Sequence, residues 1–368
     1  MENTLNSLSD MAHIKPIILS SSIGIIILTI VFLFHLGDKH IVAPPHKIND
    51  LREITPSELS RINTLIKSKK NNQNLSEEDQ LLGQFGFTTP TRDQLENHIT
   101  VEGSINSLIA TGLILQDPSF YYRALNFEPN NPHLLLLLGS HENTPPLQKL
   151  EFAKKLIQEQ PKNLVGSYLL ASIQFNLNQT DEAIETLLKT HNQNEFNDFL
   201  MSRSLIINET LLQLGNSEIG SALYSTFFTQ SPMTYRYNEI SKFLINELNQ
   251  QQQYENFELR KLTAELGTNL VSNRNLLIND LVGLSIQKKS MTGMKEEELS
   301  PFRGLSVKEA HENLIEQKKQ IKNLVIPDFE IMGEYSNDTL IEWIEKIKDV
   351  GEFEATLWLN KKPIKPRN

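Results

Sequence analysis

Two hydrophobic patterns divide this chain. From Pro16 to Leu36 no residue is charged, and the segment contains the run Ile23-Gly24-Ile25-Ile26-Ile27-Leu28-Thr29-Ile30-Val31-Phe32-Leu33-Phe34. Downstream, apolar residues recur every three or four positions in stretches punctuated by Pro, Gly and Asn, the spacing of one buried helix face. Few stretches alternate with period two, so the rest of the chain is expected to be all-α. At 1.5 Å per residue the first segment is about 31 Å long, enough to cross the hydrocarbon core of a bilayer. It is read as one transmembrane helix. The next apolar run, Leu134 to Leu138, is only a short core segment.

A cleaved signal peptide is the competing reading of that segment, but its apolar region is usually about 7 to 15 residues and ends at a small-x-small site. Here the apolar run is longer, the preceding tail is not basic, and Ala43 is followed by Pro44. An uncleaved anchor fits better. Ser20 and Gly24 form a small-xxx-small pair through which two such helices approach closely, although small residues are also simply tolerated in lipid. Lys15 precedes the helix, whereas Lys39, Lys47 and Arg52 follow it. That count favours a cytoplasmic C-terminal part. The general layout of bacterial signal-anchored repeat proteins favours the other side, and the expectation leans to an extracytoplasmic, periplasmic domain.

After the tail 1–15 and the anchor 16–36, the linker 37–54 reads Ile41-Val42-Ala43-Pro44-Pro45-His46 and is kept extended by its prolines. Residues 55–100 form a membrane-proximal helical segment. Thr55-Pro56-Ser57-Glu58 combines an N-cap, Pro at the first helical position and Glu placed for a capping box, opening a helix to about Lys69. Ser76-Glu77-Glu78 begins a second helix, and Thr91-Arg92-Asp93-Gln94 repeats the capping logic.

Between residues 101 and 235 a helix-pair pattern recurs. Leu164 to Asn197 carries Leu170-Ala171 in a first helix, then Asp181-Glu182-Ala183 and Leu187 in a second. Small residues deep in both helices let them pack closely. Glu128-Pro129-Asn130-Asn131 and Gln160-Pro161-Lys162-Asn163 each end one helix and let the next begin. These residues resemble the tetratricopeptide repeat, a helix-turn-helix unit of 34 residues. The unit from Met201 supplies Ile207, Gly215, Gly220, Tyr224 and Pro232, and the unit from Pro132 supplies Leu138 and Gly139. It departs from the family at Glu195, where Pro is expected, and at Asn208, where a small residue is expected. The resemblance covers about a third of the chain and implies an α-solenoid of helix pairs.

The resemblance also implies a groove. Its lining positions here are His133, Leu136 and Ser140, then Val165, Tyr168, Ser172 and Phe175, then Ser202, Leu205 and Glu209. The Lys, Asn and Arg clamp that some members use to grip a peptide carboxylate is missing. An apolar groove of this kind either accepts an amphipathic helix or apolar peptide, or is filled by the protein's own helices, with Ser306 to Leu324 as the candidate.

Residues 236–292 continue as helices expected to cap the repeats, with Tyr237 to Leu248, Phe257 to Leu266 and Leu276 to Ile286 as their cores. In the extension 293–368, Ser306-Val307-Lys308-Glu309 is a capping box, followed by a narrow apolar stripe of Val307, Ala310, Leu314, Ile321 and Leu324. A last pair, Asp338 to Lys348 and Glu352 to Leu359, carries Trp343 and Trp358 before the basic tail that begins at Lys361.

Composition narrows the function. The chain has 368 residues, 39% of them hydrophobic, and no cysteine, which excludes disulfides and Cys-based zinc or thiolate sites. A net charge of -10 argues against nucleic-acid binding, which needs cations to displace counterions from phosphate. His141-Glu142-Asn143 and His311-Glu312-Asn313 each lack the second His of a zinc helix. No phosphate-cradling glycine loop or nucleophile elbow occurs, and no cofactor is expected. The expectation is a non-enzymatic membrane protein that binds an unknown protein or peptide. The alternative is a homo-oligomeric envelope component associating through Ser20, Gly24 and the Ser306 helix, and an enzyme with dispersed carboxylates ranks below both.

Overall fold

The computed structural model describes residues 82–193, 195–228, 231, 233–250, 257–272, 276–302, 304–325, 327 and 329–363. The expected anchor Pro16–Leu36, the linker, the caps at Thr55 and Ser76, and the end of the basic tail lie outside the described residues. Among the described residues the chain is all-helical with no strand, and no helix is long and apolar enough to cross a membrane.

Helix starts follow local chemistry. α1 (Arg92–Glu102) opens on the expected capping box between Thr91 and Gln94, and it runs across the boundary expected at residue 100. α2 (Ile105–Leu115) is capped by Ser104, and α3 (Pro118–Phe127) by Asp117 with Pro at its first position. α4 (Pro132–Ser140) uses Asn131, whose side-chain oxygen accepts the His133 and Leu134 N–H groups at 3.0 and 3.2 Å. α5 (Pro146–Glu159) follows. These side-chain acceptors satisfy amide donors that the first turn cannot pair internally.

α6 (Leu164–Asn176) starts at Asn163, which does more than cap. Its oxygen accepts from Val165 N–H at 3.2 Å and from Asn197 N–H at 3.1 Å. Its amide donates to Asn197 O at 2.9 Å and to Gln160 Oε1 at 2.7 Å. Main-chain bonds Leu164 N–H to Glu195 O at 2.9 Å and Glu195 N–H to Lys162 O at 3.1 Å complete the clasp. The segment after α7 (Thr180–Leu188) is thereby tied back to the start of α6. α8 (Leu200–Gln213) and α9 (Glu218–Phe227) form the next pair.

Consecutive helices pack as pairs, α2 with α3, α4 with α5, α6 with α7 and α8 with α9, joined by short connections that favour antiparallel neighbours. α5 also packs on α6. The fourth pair then departs from this order, because α8 packs on α2. Its Ile206 enters the cluster of Ile109, Phe120, Leu134 and Leu137.

α10 (Thr234–Gln250) lies against α6. Its Met233 approach residue and its Tyr237, Ile240, Leu244 and Leu248 join the largest core, with Val165, Tyr168, Leu169 and Phe175. α11 (Phe257–Ser272) and α12 (Leu277–Ser290) form a close pair. An added Cβ at Gly267 would stand 2.6 Å from Gly283 O, and one at Gly283 would stand 2.6 Å from Gly267 O, so no side chain fits either position. α13 (Val307–Lys322) has its capping box between Ser306 and Glu309 and buries the expected stripe, Val307, Ala310, Leu314, Ile321 and Leu324, in a cluster with Leu277 and Leu284. α14 (Asn337–Val350) packs on α9, where Trp343 stacks on Phe227 at 5.3 Å. α15 (Glu352–Leu359) pairs with α14.

Candidate partner-binding face

The structure separates the positions expected to line the groove into two groups. His133 and Leu136 on α4, with Val165, Tyr168, Ser172 and Phe175 on α6, are buried, and Ser140 is partly so. Ser202, Leu205 and Glu209 on α8 are exposed, Leu205 at 50%. The two groups belong to different surfaces because α8 turns away to α2.

What covers the first group is α10. Phe243 stacks on Phe175 with centroids 4.9 Å apart, and Tyr237 meets Tyr168 edge-on at 5.8 Å. Arg236 donates to Ser140 O at 2.7 Å and to Ser172 Oγ at 3.2 Å. From α11, Asn269 donates to the Tyr168 hydroxyl at 2.7 Å. Burial pushes the Tyr168 hydroxyl above its ordinary range and pulls the Arg236 guanidinium down. The inner face is therefore occupied by the chain itself. The occupant is Thr234–Gln250, not the Ser306 helix, which packs on α12 instead. Five large apolar side chains of the α10 segment, each contributing about 1.5–3 kcal/mol on burial, hold it there.

Beneath α10 lies a polar junction. Arg203 on α8 is fully buried, and its Nη1 donates to Asp198 O at 2.6 Å. The Asp198 carboxylate accepts Leu200 N–H at 3.1 Å and the Ser231 hydroxyl. His133 stacks on Phe199 at 5.4 Å. Burial, with Arg203 as a second cause, lowers His133 to about 3, so its ring is neutral. Burial also raises the Tyr237 hydroxyl well above its ordinary range.

Sequence reasoning missed Arg203, Asp198, Ser231 and Arg236. Arg203 sits between two serines in a polar-looking turn, and nothing local marks it as interior. A recess, a cavity of about 230 Å³, opens between α11, α12 and α13, with Thr268, Gln287, Phe302, Asn313, Leu314 and Glu316 among its lining. Gln287 is fixed there by donating to Thr268 Oγ1 at 2.9 Å.

α8 presents Leu205, Glu209 and Leu212 outward, the last 39% exposed. Their spacing puts them on one stripe of the helix. Fold and face together define an all-helical protein whose helix pairs enclose a helix of their own. Comparison of the chain with protein-family models, with curated proteins and with solved structures finds no match.

Proposed function

We propose that this chain is a non-enzymatic, single-pass membrane protein whose tetratricopeptide-like helix pairs organise other proteins near the bilayer. The uncharged segment Pro16–Leu36 supports the anchor. Leu170, Ala171, Ala183 and Leu187, buried in the α6–α7 pair, support the repeat-like reading.

The observation that carries the binding role is the stripe on α8. With the inner face filled by α10, the apolar Leu205 and Leu212 flank Glu209 on an outer surface. The partner this chemistry suits is an amphipathic helix with apolar side chains on either side of a basic one.

A photo-crosslinking residue placed at Leu205 of the full-length chain in cells tests this reading, with Tyr168 as the buried control. Recovery of a heterologous protein from Leu205 and none from Tyr168 is the expected result. Adducts to the chain itself would replace this reading with self-association, and the absence of any adduct at Leu205 would remove the stripe as a contact.

A further inference from the structure

The two tryptophans of the chain sit differently in the α14–α15 pair. Trp343 is fully buried, and its indole N–H donates to Thr356 Oγ1 at 3.3 Å. Trp358 is partly exposed, and two ammonium groups stand over its ring, Lys346 Nζ 5.0 Å and Lys362 Nζ 4.2 Å from the centroid. An exposed cation–π contact is a weak attraction, and bringing two like charges to one ring costs repulsion.

Nearby acids do little to neutralise these cations. Lys346 meets Glu342 only at 3.9 Å, and Glu345 is taken by Lys348 at 2.6 Å. No carboxylate among the described residues pairs with Lys361 or Lys362, and Lys361 is exposed. After Glu354 the sequence carries Lys361, Lys362, Lys365 and Arg367 and no acidic side chain. In a chain of net charge -10, positive charge is thus concentrated beside an accessible indole.

An indole flanked by lysines suits the headgroup layer of a bilayer. The ring enters the boundary with the acyl chains, where tryptophan collects, and the flexible lysine stems carry their charges to lipid phosphates. We propose that Trp358, with Lys346, Lys361 and Lys362, docks on the surface of an anionic phospholipid bilayer. The inference rests on the proposed anchor, which keeps the chain within reach of that surface. Because α14 packs on α9, the contact turns that end of the helix pairs toward the membrane.

Tryptophan quenching by lipids with brominated acyl chains tests the proposal on the full-length chain. The chain is reconstituted in phosphatidylcholine and in phosphatidylcholine mixed with phosphatidylglycerol. Quenching should be stronger in the mixed bilayer and should be reversed by salt. Lys361→Gln and Lys362→Gln should each lower the docking constant about fivefold. Trp358→Phe, which leaves only the buried Trp343, should abolish the difference between the bilayers. Equal quenching in the two bilayers, or a difference indifferent to both lysine substitutions, would overturn the proposal and leave an acidic protein as the surface that suits these cations. Failure of the anchor reads differently: the chain would then leave phosphatidylcholine vesicles in strong salt, and anionic vesicles added to it would still test Trp358.

Discussion

Asn163 and Arg203 are both buried polar side chains at junctions between helix pairs, and the fold treats them in opposite ways. All four bonds of Asn163 run to groups within the chain, one to the turn it caps, one to Gln160 before it and two to Asn197. Arg203 has one bond within the chain and leaves two nitrogens without a partner. The first arrangement closes a structure; the second leaves buried donors unsatisfied by the chain. Polar burial in this protein is thus satisfied either wholly or only in part within the chain, and the hydrogen bonds of each side chain separate the two.

Glu352 offers the largest test of that distinction, because it is buried and its one bond within the chain is from Leu277 N–H, at 2.9 Å. Burial pushes its carboxyl up from 4.5 to about 7, against the bond from Leu277. An acid that binds its proton more tightly when folded favours the fold most below its unfolded value. The contribution is therefore full below about pH 4.5, is lost as pH rises to about 7, and is flat above. Urea unfolding across that window should show a fall of about 3 kcal/mol from this group, and Glu352→Gln should flatten it.

Asn163→Ala comes next. It removes a cap and the bonds to Asn197, and should cost about 2 kcal/mol in the same assay. Asn131→Ala removes an N-cap without such a long-range partner and should cost about 1 kcal/mol. Equal losses at the two sites would mean that the bonds to Asn197 add nothing. The smallest effect is expected at the Arg203 junction. The paired Arg203→Met and Asp198→Asn variant should differ from the unaltered chain by less than about 1 kcal/mol, since removing both buried charges together leaves neither uncompensated.

Much of the helical grammar was legible in the sequence. Thr91 with Gln94 and Ser306 with Glu309 form the capping boxes their spacing announces, because such boxes are closed within one turn. The narrow stripe from Val307 to Leu324 is buried as its periodicity requires. Leu170, Ala171, Ala183 and Leu187 are interior for the same reason.

The candidate face was less legible. His133, Tyr168 and Phe175, expected to line a groove, are buried, and what Tyr168 and Phe175 face, α10, arrives from about seventy residues away with an amphipathic pattern that would suit many surfaces. The return of α8 to α2 has no local signal either, and it is what leaves Leu205 and Glu209 outside. Arg203 was invisible because burial of a charge depends on what the rest of the fold packs around it, which the neighbouring residues do not specify.

The Asn163 clasp also bears on how the protein is made. Its partner Asn197 lies 34 residues further along the chain. During synthesis, α6 leaves the ribosome before the strap that secures its first turn exists. The α6–α7 pair is completed only when residues 195–197 follow, so a chain halted short of them carries a helix pair without its fastening.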